Sequence, residues 1–204
     1  FQSTFLQKGE WNDELMFGIQ YNPEQGGYRQ RGNVWQAPNG YRCFGSDNPQ
    51  EPFVRLFEMA DGTEFDWDQY DPGNDLVRVA TAAELETDPY LNPYYGREPR
   101  FYASLLYHGA PWRERPSQVG GPPYIQTGYY VPEGIDHTLL DSLTPGLDTR
   151  DGPVMPWNST KTGYYIKKFL DPTVEPRGYY TDLTWIDMRY AEVLLNYAEV
   201  CIEP

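Results

Sequence analysis

The segment near the C-terminus, residues 185–202, constrains the fold more than any other feature of the chain. Its spacing predicts a helix with Thr184 as N-cap, because Asp187 follows three residues later, as in a capping box. Of its 18 residues, 13 are apolar or aromatic, and the polar ones fall mostly on one narrow stripe. Such a helix must be enclosed by neighbours, yet the sequence contains no second long amphipathic helix. The pattern therefore predicts that the chain is a fragment of a larger polypeptide or docks on another one.

The composition predicts a loop-rich globule with an aromatic core. Among 204 residues there are 19 Gly and 19 Pro, a share below the roughly 25–30% that is typical of low-complexity chains. The 6 Trp, 18 Tyr and 9 Phe are spread along the whole sequence, so the material to bury is more aromatic than aliphatic. Cys43 and Cys201 are the only cysteines. Two cysteines do not make a disulfide framework, so both are expected to be free thiols.

The net charge of −14 argues against several kinds of partner. An acidic surface of this size repels phosphate groups, so binding to nucleic acid or to an anionic membrane surface is not expected. No apolar run approaches the length of about 18 residues that a membrane-spanning helix needs. The sequence begins at Phe1 without the features of a signal peptide, and we expect that a longer precursor was cut.

Local patterns predict three strands and two short elements ahead of the C-terminal helix. Residues 13–21, 101–107 and 163–170 are apolar runs bounded by Asn, Pro, Gly or Asp, and each is predicted to be a strand. Residues 52–60 form a short apolar element, and residues 81–84 have the capping-box spacing that begins a short helix. Irregular structure is expected in the two long Gly- and Pro-rich or Asn-rich segments, 26–52 and 109–163.

The chemical groups that an enzyme needs are sparse in this sequence. His108 and His137 are the only histidines, and neither lies in a metal-ligand spacing. Ser142 and Ser159 lack the G-x-S-x-G elbow, and the chain has neither a Walker-type phosphate loop nor a G-x-G-x-x-G motif. Two carboxylates suffice for a glycoside hydrolase, so the residues alone leave that chemistry open.

The acidic stretch 66–75 is rich in the hard oxygen ligands that calcium prefers. Counted from Asp66, however, the sixth position is Asp71 instead of Gly, and the twelfth is Val77 instead of Glu. We interpret the stretch as a solvated turn, and we expect no metal and no other cofactor. Structural ion pairing is expected for the charged cluster that follows it, Arg97, Glu98 and Arg100.

One segment, residues 31–42, combines flat aromatic rings with polar side chains. A glycan presents weakly polar C–H faces and many hydroxyls, which suit rings edged by amide, carboxylate and guanidinium groups. The predicted stacking rings are Trp35 and Tyr41, and the predicted hydrogen-bonding neighbours are Asn33, Gln36 and Arg42. Three rings in similar surroundings form a second group of candidates: Trp67, Trp112 and Tyr124. For each ring the alternative is packing against the scaffold.

Five segments, in this order along the chain, resemble one protein family. They are DELMFGIQY at 13–21, FEMADG at 57–62, GREPRFYAS at 96–104, GYYIKKF at 163–169 and RYAEVLLNYAE at 189–199. The family that they resemble is the SusD/RagB family of outer-membrane nutrient-binding lipoproteins. Gly96 and Glu98 depart from it, since Asn and Asp are usual at these two positions.

The resemblance implies a mainly α-helical fold with irregular loops, built on a helical scaffold of tetratricopeptide type. In such a protein this chain is the middle-to-C-terminal part. Residues 1–184 are then a loop-rich variable region with short strands, and residues 185–204 begin the C-terminal helical scaffold. The chain carries one strong helix of that scaffold, and the rest of the parent chain would enclose it.

The resemblance also implies a function. The family suggests a non-enzymatic protein at the bacterial cell surface, which captures oligosaccharides and passes them to a TonB-dependent transporter of the outer membrane. Its lipid anchor would belong to a part of the parent protein outside this chain. The alternatives are capture of peptides, a carbohydrate-active enzyme with two carboxylates, and a purely structural assembly piece.

Overall fold

The structure is a computed structural model, and it describes residues 2–6, 8, 12–21, 31–68, 93–130, 144–177 and 181–203. The described residues form five α-helices: Gln2–Phe5 (α1), Gly32–Gln36 (α2), Glu51–Arg55 (α3), Pro99–Ser104 (α4) and Tyr190–Ile202 (α5). Two 3₁₀ turns span Asn39–Tyr41 and Pro156–Asn158. The strands are Leu15–Ile19 (β1), Leu105–Leu106 (β2), Tyr129–Tyr130 (β3), Thr144–Pro145 (β4), Tyr165–Ile166 (β5) and Trp185–Arg189 (β6).

The strands pair in three separate antiparallel ribbons, β1 with β6, β2 with β5, and β3 with β4. The predicted strand at residues 13–21 is confirmed as β1. Asn12 begins it, since its side-chain oxygen accepts the N–H groups of Glu14 and Leu15 at 2.8 and 3.0 Å. Gly18 allows the close approach of β6, because a Cβ at this position would lie 2.8 Å from the carbonyl oxygen of Trp185.

The helix predicted from Trp185 begins five residues later, and this part of the prediction is wrong. Residues 185–189 are strand β6, because they pair with β1 in an antiparallel ladder that is irregular at two places. Glu14 caps the helix instead of Thr184. Its carbonyl accepts the N–H of Tyr190 at 2.8 Å, and its carboxylate accepts the N–H of Ala191 at 3.4 Å. Pairing with a distant strand has overridden the local capping-box signal.

Helix α5 lies open to solvent along its length. None of its side chains is buried by the described part of the chain. Its apolar residues are among the most exposed in the protein, with Leu195 69% and Ile202 82% exposed. This exposure agrees with the expectation that elements enclosing the helix lie outside these residues.

Among the described residues, the buried core contains two clusters that both include aromatic rings. The first contains Ala37, Tyr41, Cys43, Leu106, Ala110, Ile125, Tyr165 and Leu170. The second contains Val54, Phe101, Leu105 and Tyr164. Ribbon β2–β5 joins them, because Leu105 belongs to the second cluster while Leu106 and Tyr165 belong to the first.

Three further sequence predictions can be compared with the structure. The predicted strand at 101–107 is wrong in its first half, which is helix α4; Pro99 at the helix start provides a preset φ there. The apolar element at 52–60 is helix α3 followed by a turn, and only Tyr165–Ile166 of the segment 163–170 is strand. The predicted helix start at residues 81–84 lies outside the described residues. Among the described helices, none is long and apolar enough to cross a membrane.

Of the three charged residues Arg97, Glu98 and Arg100, only the last two form the predicted ion pair. Glu98 and Arg100 pair at 2.5 Å, as expected. Arg97 is buried instead. Its guanidinium donates to the carbonyl oxygens of Pro93 and Phe57, at 2.8 and 2.6 Å, and lies over the ring of Phe65 at 4.2 Å.

Candidate functional site

The candidate site is built on a pair of solvent-exposed rings, Trp35 and Phe44. Trp35 lies on helix α2 and is 48% exposed, and Phe44 is 38% exposed. Their ring centroids are 4.9 Å apart, with an angle of 31° between the ring planes. At this distance the rings are partly stacked on each other, so the pair leaves an outer ring face and ring edges open to an apolar ligand surface.

The backbone around the two rings fixes their positions. The 3₁₀ turn Asn39–Tyr41 ends at Arg42, whose left-handed φ of 61° reverses the chain after α2. The returning segment then binds α2, since the N–H of Phe44 donates to the carbonyl of Val34 at 3.0 Å and the N–H of Ser46 to that of Trp35 at 2.8 Å. The sequence predicted no regular structure here, and the structure shows two short helical turns.

Polar groups lie beside the ring pair. Gln36 donates from its side-chain amide to the carboxylate of Asp47 at 2.9 Å, so the two residues form one fixed polar edge. The predicted neighbour Arg42 is partly exposed on the same loop.

Tyr41 does not belong to this exposed surface, and its predicted role as a stacking ring is wrong in this structure. The ring is completely buried, and its hydroxyl donates to the carbonyl of Arg113 at 2.8 Å. Trp112 packs edge-on against it with centroids 4.6 Å apart, and burial raises the pKa of the hydroxyl. Tyr41 therefore supports the loop from below, and Trp112 is partly buried with it.

Asn33 is also buried, so its predicted hydrogen bond to a ligand is replaced by contacts within the protein. Its side-chain amide donates to the carbonyl of Asp171 at 2.9 Å, and its side-chain oxygen accepts the N–H of the same residue at 3.0 Å. Both halves of the amide are used, which fixes helix α2 to the segment after β5.

The two remaining predicted rings, Trp67 and Tyr124, contact residues other than the Trp35–Phe44 pair. Trp67 packs edge-on against Phe65 and between the guanidinium groups of Arg55 and Arg97, which lie 4.8 and 5.0 Å from its ring. Tyr124 is exposed and forms an isolated bridge with Pro111. The structure does not bring either ring to the pair.

Trp157 is the most exposed aromatic side chain among the described residues, and the sequence analysis did not single it out. It is 77% exposed in the middle of the 3₁₀ turn Pro156–Asn158. The side chain of its neighbour Asn158 donates to the carbonyl of Cys43 at 3.2 Å, which brings this turn to the loop of Phe44. A signal was present in the sequence, since Trp157 stands between Pro and Asn in a polar stretch.

The described residues offer little for covalent or metal chemistry. No group of three or more His, Cys, Asp or Glu side chains in them could hold a metal ion. Burial raises the pKa of the Cys43 thiol to about 12 and holds the pKa of His108 below its usual value. A thiol that stays protonated is a poor nucleophile.

The comparisons with known proteins concern the family and the fold of the chain. The family model described as the SusD family matches residues 6–204, nearly the whole chain. The chain belongs to the SusD family.

Two solved structures of Bacteroides fragilis NCTC 9343 are similar to this SusD family chain. A SusD-like protein is 26% identical with a TM-score of 0.54, and the match covers 92% of this chain and 32% of that one. A SusD-like carbohydrate binding protein is 19% identical with a TM-score of 0.51, covering 92% and 29%, and shows a similar fold. The chain thus spans about a third of the length of these structures. No curated protein matches it.

Proposed function

We propose that this chain is the ligand-binding part of a cell-surface protein that captures oligosaccharides for import. The observation that carries the proposal is the exposed pair of rings, Trp35 and Phe44, in a chain of the SusD family. A relative of similar fold is described as carbohydrate binding. The parent protein would pass its ligand to a TonB-dependent transporter in the bacterial outer membrane. A lipid attached to a part of the parent protein outside this chain would anchor the protein to that membrane.

The ring pair suits a sugar for physical reasons. The C–H face of a pyranose can pack on the exposed outer face of the pair. The side chains of Gln36 and Asp47, which follow the two rings closely in the sequence, offer hydrogen-bond partners for its hydroxyls. The backbone that carries both rings is held by hydrogen bonds before any ligand arrives, so little cost of ordering the loop is expected on binding. The predicted contact Arg42 stays in the proposed site, while Tyr41 and Asn33 take structural roles.

Calorimetric titration of the full-length protein with a panel of oligosaccharides tests the ligand class. We expect one glycan to bind, and we expect Trp35→Ala with Phe44→Ala to weaken it at least tenfold, or about 1.4 kcal/mol. Phe53→Ala is the matched control, since Phe53 is a similarly exposed ring on helix α3. The control should bind like wild type.

Other results would replace this proposal. Binding of peptides and of no glycan would support peptide capture, and turnover of a glycan would support a carbohydrate-active enzyme. Glycan binding that survives the double substitution would place the ligand site elsewhere.

The scaffold and the partner are also proposals. Helix α5 would be the first scaffold helix of tetratricopeptide type after the loop-rich region, and its open apolar surface supports this position. A structure of the full-length protein in which α5 stays exposed would contradict it. Purification of that protein from detergent-solubilised outer membranes should recover a TonB-dependent transporter, and recovery without one would contradict the partnership.

A further inference from the structure

The turn that carries Trp157 is fixed to the loop that carries Phe44 by a series of hydrogen bonds. The side chain of Asn158 donates to the carbonyl of Cys43, and the N–H of Lys161 donates to the side chain of Asn48 at 3.2 Å. Further along, the hydroxyl of Thr162 donates to the carbonyl of Pro49 at 2.6 Å. The two segments therefore run side by side and are joined at three points.

Gly45 shows how closely the segments approach. A Cβ at this position would lie 2.4 Å from the carbonyl oxygen of Asn158, so no larger residue fits without displacing that backbone. Adding standard backbone lengths to this contact puts the Cα atoms of Phe44 and Trp157 no more than about 14 Å apart. The backbone that carries the exposed Trp157 is thus close to the backbone that carries Phe44.

The turn of Trp157 is also held in an unusual conformation. Met155, which precedes it, has a left-handed φ of 41°, a strained geometry for a residue with a side chain. Beneath it, the buried amide of Asn39 donates to the carbonyl of Val154 at 2.6 Å, and its side-chain oxygen accepts the hydroxyl of Tyr165 at 2.7 Å. The fold holds this turn from below and from the side, and yet leaves the indole in solvent.

We propose that Trp157 is a second stacking ring, and that the surface binds an extended oligosaccharide across Trp157 and the Trp35–Phe44 pair. Asn158 is a positioning residue that fixes the distance between the two platforms. The inference rests on the proposed glycan-binding function and adds to it a preference for chain length. A single sugar covers one platform only, whereas a longer chain gains contacts on both at little further ordering cost.

A series of glycans of one linkage and increasing length, from disaccharide to hexasaccharide, tests the inference by calorimetry on the full-length protein. Wild type should bind the hexasaccharide at least tenfold more tightly than the disaccharide. Trp157→Ala should remove most of this difference, because it should weaken the hexasaccharide far more than the disaccharide. Because the indole is exposed, this variant should keep the melting temperature of wild type.

Asn158→Asp tests the positioning role with a side chain of the same shape. A carboxylate cannot donate to the carbonyl of Cys43, so the platforms should separate and the length preference should fall about as far as in Trp157→Ala. Asn12→Asp is the matched control, because the side-chain oxygen of Asn12 only accepts in the structure and this residue lies at the start of β1.

The outcomes separate this inference from the proposed function. If wild type binds no glycan of any length, both the proposed function and the second platform are refuted. If wild type binds glycans and the Trp35→Ala and Phe44→Ala variant weakens them, but Trp157→Ala changes no affinity, the proposed function stands and the second platform is refuted. Equal weakening of short and long glycans by Trp157→Ala also refutes the length preference.

Discussion

The guanidinium of Arg115 and the carboxylate of Asp148 meet at 2.6 Å, with both side chains completely buried. The pair is hydrogen-bonded on all sides, since Arg115 also donates to the carbonyls of Pro122 and Tyr124, and Asp148 also accepts the N–H of Gln126. Its cation lies 4.6 Å from the centre of the Tyr41 ring, beneath the candidate site. Two irregular segments are joined here without a sheet between them.

Substituting Asp148 should cost far more stability than substituting an exposed partner. Asp148→Asn keeps the shape of the side chain but leaves the Arg115 cation buried without its counterion, which should lower the free energy of unfolding by about 3–5 kcal/mol. Glu51→Gln, in the exposed pair with Arg55, should cost less than about 1 kcal/mol. Urea unfolding of the full-length protein measures both. Equal losses would contradict the structural role of the buried pair.

Gly40 is required for space, and this gives a second prediction. A Cβ on Gly40 would lie 2.2 Å from a carboxylate oxygen of Asp148 and 2.4 Å from a guanidinium nitrogen of Arg115. Gly40→Ala should therefore push the pair apart and cost about 3 kcal/mol. Gly163→Ala serves as control, because Gly163 has a φ of 85° but no atom within 4 Å, so backbone strain alone should cost about 1–2 kcal/mol. A larger loss at Gly163 would refute the packing argument.

This ion pair also shows where sequence reasoning stops. Arg115 and Asp148 are 33 residues apart in a Gly- and Pro-rich region, and no local period relates them. Local patterns correctly predicted strand β1 and the existence of helix α5, because turn residues and apolar spacing decide them within a short window. They missed the strand Trp185–Arg189, because its pairing with β1 spans most of the chain.

The sequence predicted the candidate site in part, as it did the fold. The composition of residues 31–42 correctly indicated the region of the exposed Trp35. It could not tell which rings face solvent, so it assigned Tyr41 to the ligand although the core surrounds that ring. The turn of Trp157 meets the loop of Phe44 through tertiary contacts such as the one between residues 43 and 158, which are 115 positions apart. Such contacts follow from the tertiary fold and not from composition.

Arg97 should be sensitive even to a substitution that keeps its charge. Its guanidinium reaches two carbonyl oxygens at once, those of Pro93 and Phe57, and a Lys ammonium lacks this forked geometry. Arg97→Lys should lower the free energy of unfolding by about 2 kcal/mol, because at least one hydrogen bond from a buried cation is lost. Arg100→Lys, on an exposed side chain, should change it by less than about 0.5 kcal/mol. Comparable unfolding curves for the two variants would show that the fork contributes nothing.

His108 should make the protein less stable in mild acid. Burial lowers its pKa below the usual value of 6.5, although the charge of Asp148 partly opposes the shift. Its Nδ1 accepts the N–H of Gly128 at 3.0 Å, a contact that only the unprotonated nitrogen can make. The folded state therefore resists a proton that the unfolded state accepts. The contribution of His108 to the free energy of unfolding should be constant above about pH 7. Below about pH 6.5 the free energy of unfolding should fall, by up to about 1.4 kcal/mol per pH unit.

His108→Gln separates this effect from the other titrating groups. Its side-chain oxygen still accepts the N–H of Gly128, but it does not titrate, so the variant should lose less stability than wild type between pH 7.5 and 5.5. His137 and the carboxylates are present in both proteins and cancel in the comparison. Urea midpoints across this range measure the difference. Parallel pH dependences in the two proteins, or a wild type that becomes more stable on acidification, would show that the His108 imidazole is not held in its neutral form.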